Sequence, residues 1–346
     1  SSAASDVYKR QLPGLPSAEP SATLVLFPHP VTGAVFLCYE VNLHANLLED
    51  YTLFVDALDG TIRWRILNTC SWHRHTSLSF PSDVSLPVHA MPRRTVAAGT
   101  FVDASGTDAN GVTRSFRVYR HDDGMYYMIW DLPSLDRSGS QLPNRVKGGA
   151  VTLTANNSDI DPQNPQVYHI TSPDNTWRDP VAVSAHYNAF ISDRYYRTTH
   201  TRNSLDGQGG TVISIIHATY RGQPMSNAYW NGGLKIMVYG DGDGYLYKPF
   251  AAALDVAAHE MTHGVTQHSA NLVYQFQPGA LNESFSDIFA IMVDRDDFLL
   301  GEDLQGPGSS KIATRDIANP SNPNVESPQP SHMSQHQNLP IDQDNG

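Results

Sequence analysis

The sequence is poor in cysteine, in basic charge and in long apolar runs, and each shortage removes a class of protein. Only two cysteines occur in 346 residues, Cys38 and Cys70, both in the first fifth of the chain. The rest of the chain therefore contains no internal disulfide, and rigidity outside a cell has to come from another source. Lys and Arg total 23 against 35 Asp and Glu, a formal net charge of -12. That balance argues against a nucleic-acid partner, which calls for clustered basic residues, and is compatible with carboxylates gathered around hard cations. No apolar run approaches the roughly 20 residues needed to cross a bilayer, so no membrane-spanning segment is expected. An initiator Met and a basic-then-apolar leader are also missing: the chain opens SSAASDVYKRQLPG and stops at IDQDNG. We expect a fragment cut at both ends, with residues 1–20 unassigned or artefactual.

What is present reads as two globular units, since 346 residues at 40% hydrophobic can build more than one core. From ATLVLFPHPVTGAVFLCYEVNL through YTLFVDALDGTIRWRILNT, short β-rich segments alternate with turns at PVTG and LDG, the pattern of an antiparallel meander. This β unit is placed at residues 21–75. The stretch SFPSDVSLPVHAMPRRTVAAG has three prolines, little periodicity and the pair Arg93–Arg94, so 76–94 is expected to be a linker with a processing site. Beyond it, RSFRVYRHDDGMYYMIWDL reads as a hairpin joined at Asp123 and Gly124, with further strand-like segments at 149–154 and 166–171. Asp179 suits the N-cap and Pro180 the first position of a helix. After strand-like TVISIIHATY and GLKIMVYGDGDG come two more helical stretches. In the second, Leu281, Phe285, Ile288, Phe289 and Met292 are spaced for one buried face.

The first of these helices, LDVAAHEMTHGVTQHSA, frames His259, Glu260 and His263 as H-E-x-x-H. Residues four apart sit about 6 Å apart along a helix and on nearly one face, so both imidazoles can reach a single ion. Glu260 is rotated by roughly 100° from His259, near such an ion without being aligned as a ligand, and is placed to hold water. By itself the frame also fits a surface helix with two solvated histidines. In NESFSD, Glu283 follows His263 by twenty positions and Asp287 lies one turn further on. Alone, that acidic stretch fits a solvated face. Together the two helices supply three protein ligands and a supporting carboxylate with a fourth position left open, which is what a catalytic zinc needs.

DVAAHEMTHGVTQHSANLVYQ followed by ALNESFSDIFA, with SNAYWNG and MVYGDGDG upstream, resembles the thermolysin-like neutral zinc metalloprotease family. The resemblance runs from residue 95 to the end, and the β unit before it is similar to the inhibitory propeptide of these enzymes. It implies an α+β chain: a β-rich propeptide remnant, a mainly-β N-terminal domain over 95–250, a central zinc-binding helix over 251–270, and an incomplete α-helical C-terminal domain over 271–346. It further implies zinc ligation by His259, His263 and Glu283, with Glu260 taking a proton from water as it attacks the scissile carbonyl. Asp287 would orient His259, and Tyr274 would donate a hydrogen bond to the developing oxyanion. Asn227 and Ala228 match positions that bind the peptide backbone by strand addition. Tyr247, Phe250, Val256 and Arg315 match the pocket for the residue after the cleaved bond, which prefers a bulky hydrophobic side chain. Asp255, Asp294, Asp297 and Glu302 match calcium-binding carboxylates. Leu299 stands where another is expected and LQGPGSSK lacks an Asp, so one calcium is expected rather than two.

The family continues beyond DNG into a motif bearing a second catalytic histidine, which Asp344 would orient, and into a helical bundle. We therefore expect the chain as written to have little or no peptidase activity and the full-length product to have it; measurable cleavage of casein by the chain as written would contradict this. The leading expectation is a secreted zinc endopeptidase zymogen acting on peptides and proteins, its own propeptide serving as intramolecular inhibitor until cut near Arg93 and Arg94. The alternative is a catalytically inactive metal-binding pseudoprotease that holds peptides in its cleft. An aminopeptidase of similar chemistry is disfavoured because SNAYWNG stands where G-x-M-E-N would precede the helix. His186 and His217 are expected to be satisfied structural residues, and His332 and His336 to sit in a polar tail.

Overall fold

The computed structural model describes residues 22–44, 50–71, 99–132, 140–160 and 166–336. The N-terminal 20 residues, the linker with Arg93 and Arg94, and Asp344 lie outside the described residues.

The meander read from the sequence is an antiparallel sheet of β1 (Ala22–Pro28), β2 (Val35–His44), β3 (Asp50–Asp56) and β4 (Ile62–Leu67), paired in that order. Its first and last turns end on Gly33 and Gly60, whose φ values of 68° and 74° are open to glycine at no steric cost. The next strand, β5 (Thr69–Ser71), leaves this sheet and pairs elsewhere.

A second sheet has the order β12-β8-β7-β6, from β6 (Thr100–Thr107), β7 (Thr113–Arg120), β8 (Tyr126–Tyr127) and β12 (Thr171–Ser172). The largest sheet holds β9 (Ile129–Asp131), β10 (Gly149–Asp159), β11 (Tyr168–His169), β13 (Val212–Tyr220), β14 (Gln223–Pro224), β15 (Ala228–Asn231) and β16 (Ile236–Gly240). Its main path runs β11-β10-β13-β16-β15-β5. The neighbours β10, β13 and β16 are parallel, while β15 is antiparallel to both β16 and β5. Both faces of the sheet are buried. Val212, Ile216, Trp230, Met237 and Tyr239 join the helices in one core, and Ile213, Ile215, Tyr229, Ile236 and Val238 form a second. That is why these strands read as continuous apolar runs.

Helix α1 (Pro180–His200) begins as its sequence dictates: Asp179 accepts hydrogen bonds from the Val181 and Ala182 amides, and Pro180 fills the first turn. Helix α2 (Leu254–Gln267) follows the short 3-10 turn Phe250–Ala252 and is buried along nearly all its length. Gly264 sets its approach to the sheet, because a Cβ there would lie 3.0 Å from the Trp230 ring. Helix α3 (Phe276–Val293) packs on α2.

Here one expectation fails. Leu281, Phe285, Ile288 and Met292 do not face the core but are 40–49% exposed, and Phe289 is half-buried. The face of α3 turned inward carries Gly279, Asn282, Ser286, Asp287, Ala290 and Ile291. Its polar members have partners on α2, so hydrogen bonding rather than apolar spacing sets the helix's rotation. A short pair, β17 (Leu299–Leu300) and β18 (Arg315–Asp316), closes the loop after α3 and brings Arg315 back to that helix. The fold is mixed α+β, as expected. Among the described residues, no helix is long and apolar enough to cross a membrane.

Candidate active site

The turn-by-turn spacing of α2 puts His259 and His263 on the side that faces α3, and Glu283 meets them from there. His259 Nε2 lies 3.0 Å from His263 Nε2 and 3.2 Å from Glu283 Oε2; His263 Nε2 lies 3.4 Å from Glu283 Oε1. Among the described residues this is the one group of three His, Cys, Asp or Glu donors gathered within 4.8 Å of one another.

The far side of each ring fixes which nitrogen turns toward the cluster. His259 Nδ1 is 2.9 Å from Asp287 Oδ1, and His263 Nδ1 is 2.9 Å from Asn282 Oδ1 and 3.1 Å from Ser286 Oγ. Asp287 is in turn held by Arg315, at 2.7 and 2.8 Å to its two oxygens. A carboxylate in that grip accepts only, so His259 carries its proton on Nδ1; His263, facing an amide oxygen, does the same. The two Nε2 atoms then face each other at 3.0 Å beside a carboxylate. That arrangement calls for positive charge between the donors, supplied by a proton or by a metal ion. A divalent ion bound at about 2.0–2.1 Å from each nitrogen fits the space.

The titration behaviour shows where that charge sits when a proton supplies it. Burial alone would keep both rings neutral. Hydrogen bonds to Asp287 and Glu283 overrule it for His259 and lift it to about 9, while burial holds His263 down at about 4. Burial would likewise raise Glu283, but the two histidines and the Tyr274 hydroxyl pull it down to about 2. Glu260 is the opposite case. It is wholly buried, and neither of its oxygens has a hydrogen-bond partner among the described residues. Burial, partly countered by His259 and reinforced by Glu283, raises it to about 8.

Tyr274 donates its hydroxyl to Glu283 Oε1. Asn227 and Ala228 are buried at the start of β15; the Asn227 side chain accepts from the Ala228 amide, and Ala228 pairs with Tyr239. Phe250 and Val256 have no exposed surface, and half-buried Tyr247 packs on Phe250 with ring centres 5.8 Å apart. Arg315 is 8% exposed and engages Asp287, so its charge serves the His259 side of the cluster. Sequence reasoning missed Asn282 and Ser286 as the partners of His263, although both stand beside Glu283 on the same inward face.

The acidic group is looser. Asp255 is buried, Asp294 half-buried and Asp297 exposed, with Asp297 Oδ1 bonded to the Leu299 amide at 2.7 Å. Burial first, then mutual repulsion, raises Asp255, Glu302 and Asp294, the last to about 6. Asp303, which no sequence signal singled out, adds its charge to the group. These carboxylates cluster without converging on one point.

The N-terminal sheet meets this site directly. β5 pairs antiparallel with β15, with Asn231 opposite Thr69, Trp230 opposite Cys70 and Tyr229 opposite Ser71. Trp64 Nε1 donates to Gln275 Oε1 at 3.0 Å and stacks on Phe276, while Gln275 Nε2 donates to the Arg65 carbonyl at 3.0 Å.

Two family models match, the thermolysin metallopeptidase catalytic domain over residues 103–267 and its alpha-helical domain over 270–346. Bacillolysin of Brevibacillus brevis is 43% identical over 219 residues, covering 63% of this chain and 37% of that protein. Neutral protease B of Bacillus subtilis is 46% identical over 314 residues, covering 88% of this chain and 48% of that protein. The chain spans about half or less of the length of these curated relatives. Among solved structures, the precursor of protealysin, a metalloproteinase from Serratia proteamaculans, is 31% identical with a TM-score of 0.48, covering 56% of this chain and 62% of that one. The two matched regions meet between the helices that carry the histidines and Glu283, and the chain belongs to the thermolysin metallopeptidase family.

Proposed function

We propose that this chain is the zymogen form of a secreted zinc endopeptidase. His259, His263 and Glu283 hold the zinc, and the observation that carries the reading is the facing of their two Nε2 atoms and two carboxylate oxygens at 3.0–3.4 Å, with both Nδ1 atoms already engaged. Zinc supplies a Lewis-acid centre that polarises a carbonyl and lowers the pKa of water from 15.7 to about 7. The chain's own residues then handle protons and geometry. Glu260, wholly buried and raised to about 8 in the absence of an ion, would be returned to its carboxylate form by the positive charge of bound zinc, and would then take a proton from the attacking water and return one to the leaving amine. Asp287, clamped by Arg315, fixes the ring of His259. Tyr274 donates to the oxyanion once it turns from Glu283.

The substrate backbone adds to β15 beside Asn227 and Ala228. The family resemblance assigns Tyr247, Phe250, Val256 and Arg315 to the pocket for a bulky hydrophobic residue after the cleaved bond; half-buried Tyr247 is the one of them with appreciable exposed surface, and Phe250 packs behind it. Calcium is expected near Asp255, Asp294 and Glu302, whose carboxyls are raised by burial and mutual repulsion; these three and Asp297 do not meet at one point, so no shared coordination is assigned to them. Residues 21–75 act as the inhibitory propeptide, a reading supported by β5 on the β15 edge and by the Trp64–Gln275–Phe276 contacts.

A Glu260→Gln variant of the completed protein, extended through the second catalytic histidine, tests the mechanism. It should bind zinc as its parent does and lose cleavage of a peptide with a bulky hydrophobic residue after the scissile bond. Undiminished turnover would remove Glu260 from its role, and a parent chain that takes up no zinc would overturn the reading as a whole.

A further inference from the structure

From the placement of β5, we infer that Cys70 is an inhibitory ligand: in the uncleaved chain its sulfur closes the fourth position of the metal held by His259, His263 and Glu283. This inference rests on the zinc reading above. The geometry begins in the strand ladder. Cys70 stands opposite Trp230, and directly opposed residues of an antiparallel pair point to the same face of the sheet. That face is known from Trp230, whose Nε1 donates to Gln267 Oε1 at 2.8 Å and whose ring lies against Gly264, both on α2. The Cys70 side chain is therefore directed at the helix that carries the two histidines.

Its surroundings agree. Cys70 is 5% exposed and lines one cavity together with His263, Tyr274 and Asn282. Burial raises its thiol well above the usual range, and the charges of Glu283 and Glu260 add to the effect, which places both carboxylates within electrostatic reach of the sulfur. Glu260, next to His259, is fully buried, and neither of its carboxylate oxygens has a hydrogen-bond partner among the described residues, which adds a second sign that a ligand completes this site. Cys38, the other free cysteine, is buried within the N-terminal sheet and feels Asp56 and Arg63 instead.

Sulfur is a strong ligand for zinc, at about 2.3 Å, and a coordinated thiol gives up its proton outright. Coordination exchanges the S–H bond for a metal–sulfur bond; the proton passes to solvent and the water in the fourth position leaves. Cys70 stands outside the three donors that already lie within 4.8 Å of one another, so the thiol has to close on the ion as it binds. The β5 ladder and the metal–sulfur bond then hold one strand, and removing the N-terminal unit opens both.

X-ray absorption at the zinc edge of the full chain, loaded with zinc, tests this without any activity measurement. One sulfur at about 2.3 Å is expected beside nitrogen and oxygen at about 2.0–2.2 Å. In Cys70→Ser that sulfur should be lost while zinc stays bound. Zinc bound with only nitrogen and oxygen neighbours, or a sulfur that persists in Cys70→Ser, would overturn the inference and leave the zinc site standing. A chain that binds no zinc would overturn the zinc reading itself. Should Cys70→Ser fail to fold, alkylation of a Cys38→Ser chain decides: Cys70 labelling should slow on adding zinc and recover with a chelator, and labelling indifferent to zinc would count against coordination.

Discussion

His217 and the His259–His263 pair are both imidazoles set among carboxylates, yet one cluster is complete and the other is not. At the first, β13 changes register against both neighbours around His217, whose φ is 55°. The bulge aims the ring between Asp179 at the start of α1 and Asp241 just after β16. Each ring nitrogen has a carboxylate, at 2.9 Å to Asp179 and 2.7 Å to Asp241, so one proton satisfies the group. At the second, both outer nitrogens are bonded, and the two inner ones face each other and Glu283. The difference lies in direction: the carboxylates of His217 stand on opposite sides of one ring, whereas two rings and a carboxylate here turn donor atoms toward one point. Converging donors suit a metal ion; a ring bonded on opposite sides suits a structural ion pair.

The largest test of this contrast is removal of the shared carboxylate. Glu283→Ala should abolish zinc retention through dialysis, read as metal content per chain, whereas Asp241→Ala should leave metal content unchanged. Equal zinc in parent and Glu283→Ala would mean that α3 supplies no donor.

Asp287→Asn comes next. It leaves the Arg315 guanidinium buried without its counter-charge, for which breaking a buried pair costs about 3–5 kcal/mol. Zinc affinity should also fall by about 10–100-fold, because a neutral amide in place of the carboxylate no longer supports the basicity of the His259 ring. Urea unfolding and a competition titration read the two effects separately. Loss of stability with unchanged affinity would make Asp287 a partner of Arg315 alone.

The two ligand helices differ as well, and that difference bounds what the sequence could tell. The H-E-x-x-H frame, the Asp179 cap and the meander turns are local patterns, and the structure has them where they were read. Helix α3 was misread because its apolar spacing points outward while Asn282, Ser286 and Asp287 are drawn in by the histidines. The pairing of β5 with β15 joins segments more than 150 residues apart, and no local signal carries such a contact. Nor could Arg315 be tied to Asp287 before β17 and β18 were seen to close the loop. Truncation distinguishes the helices: Met261→Ala on buried α2 should cost about 2–5 kcal/mol. Leu281→Ala, on the outward row of α3, should stay within about 0.5 kcal/mol.

The smallest effect belongs to His217, and it has a sign. Burial works against its charge, but hydrogen bonds to Asp179 and Asp241 win and raise it to about 9, above the ordinary 6.5. A group raised on folding stabilises the native chain fully below its unfolded value, and the contribution fades as pH climbs through the folded one. His217→Gln should therefore lower Tm most below about pH 6.5 and progressively less up to about pH 9, where the ring of the parent loses its proton. Because the ring is 20% exposed and Asp179 37%, solvent screens the pair and the shift in Tm should be small. A difference in Tm between parent and variant that stays constant from pH 6 to pH 10 would show that His217 acts by shape, with no charge to lose.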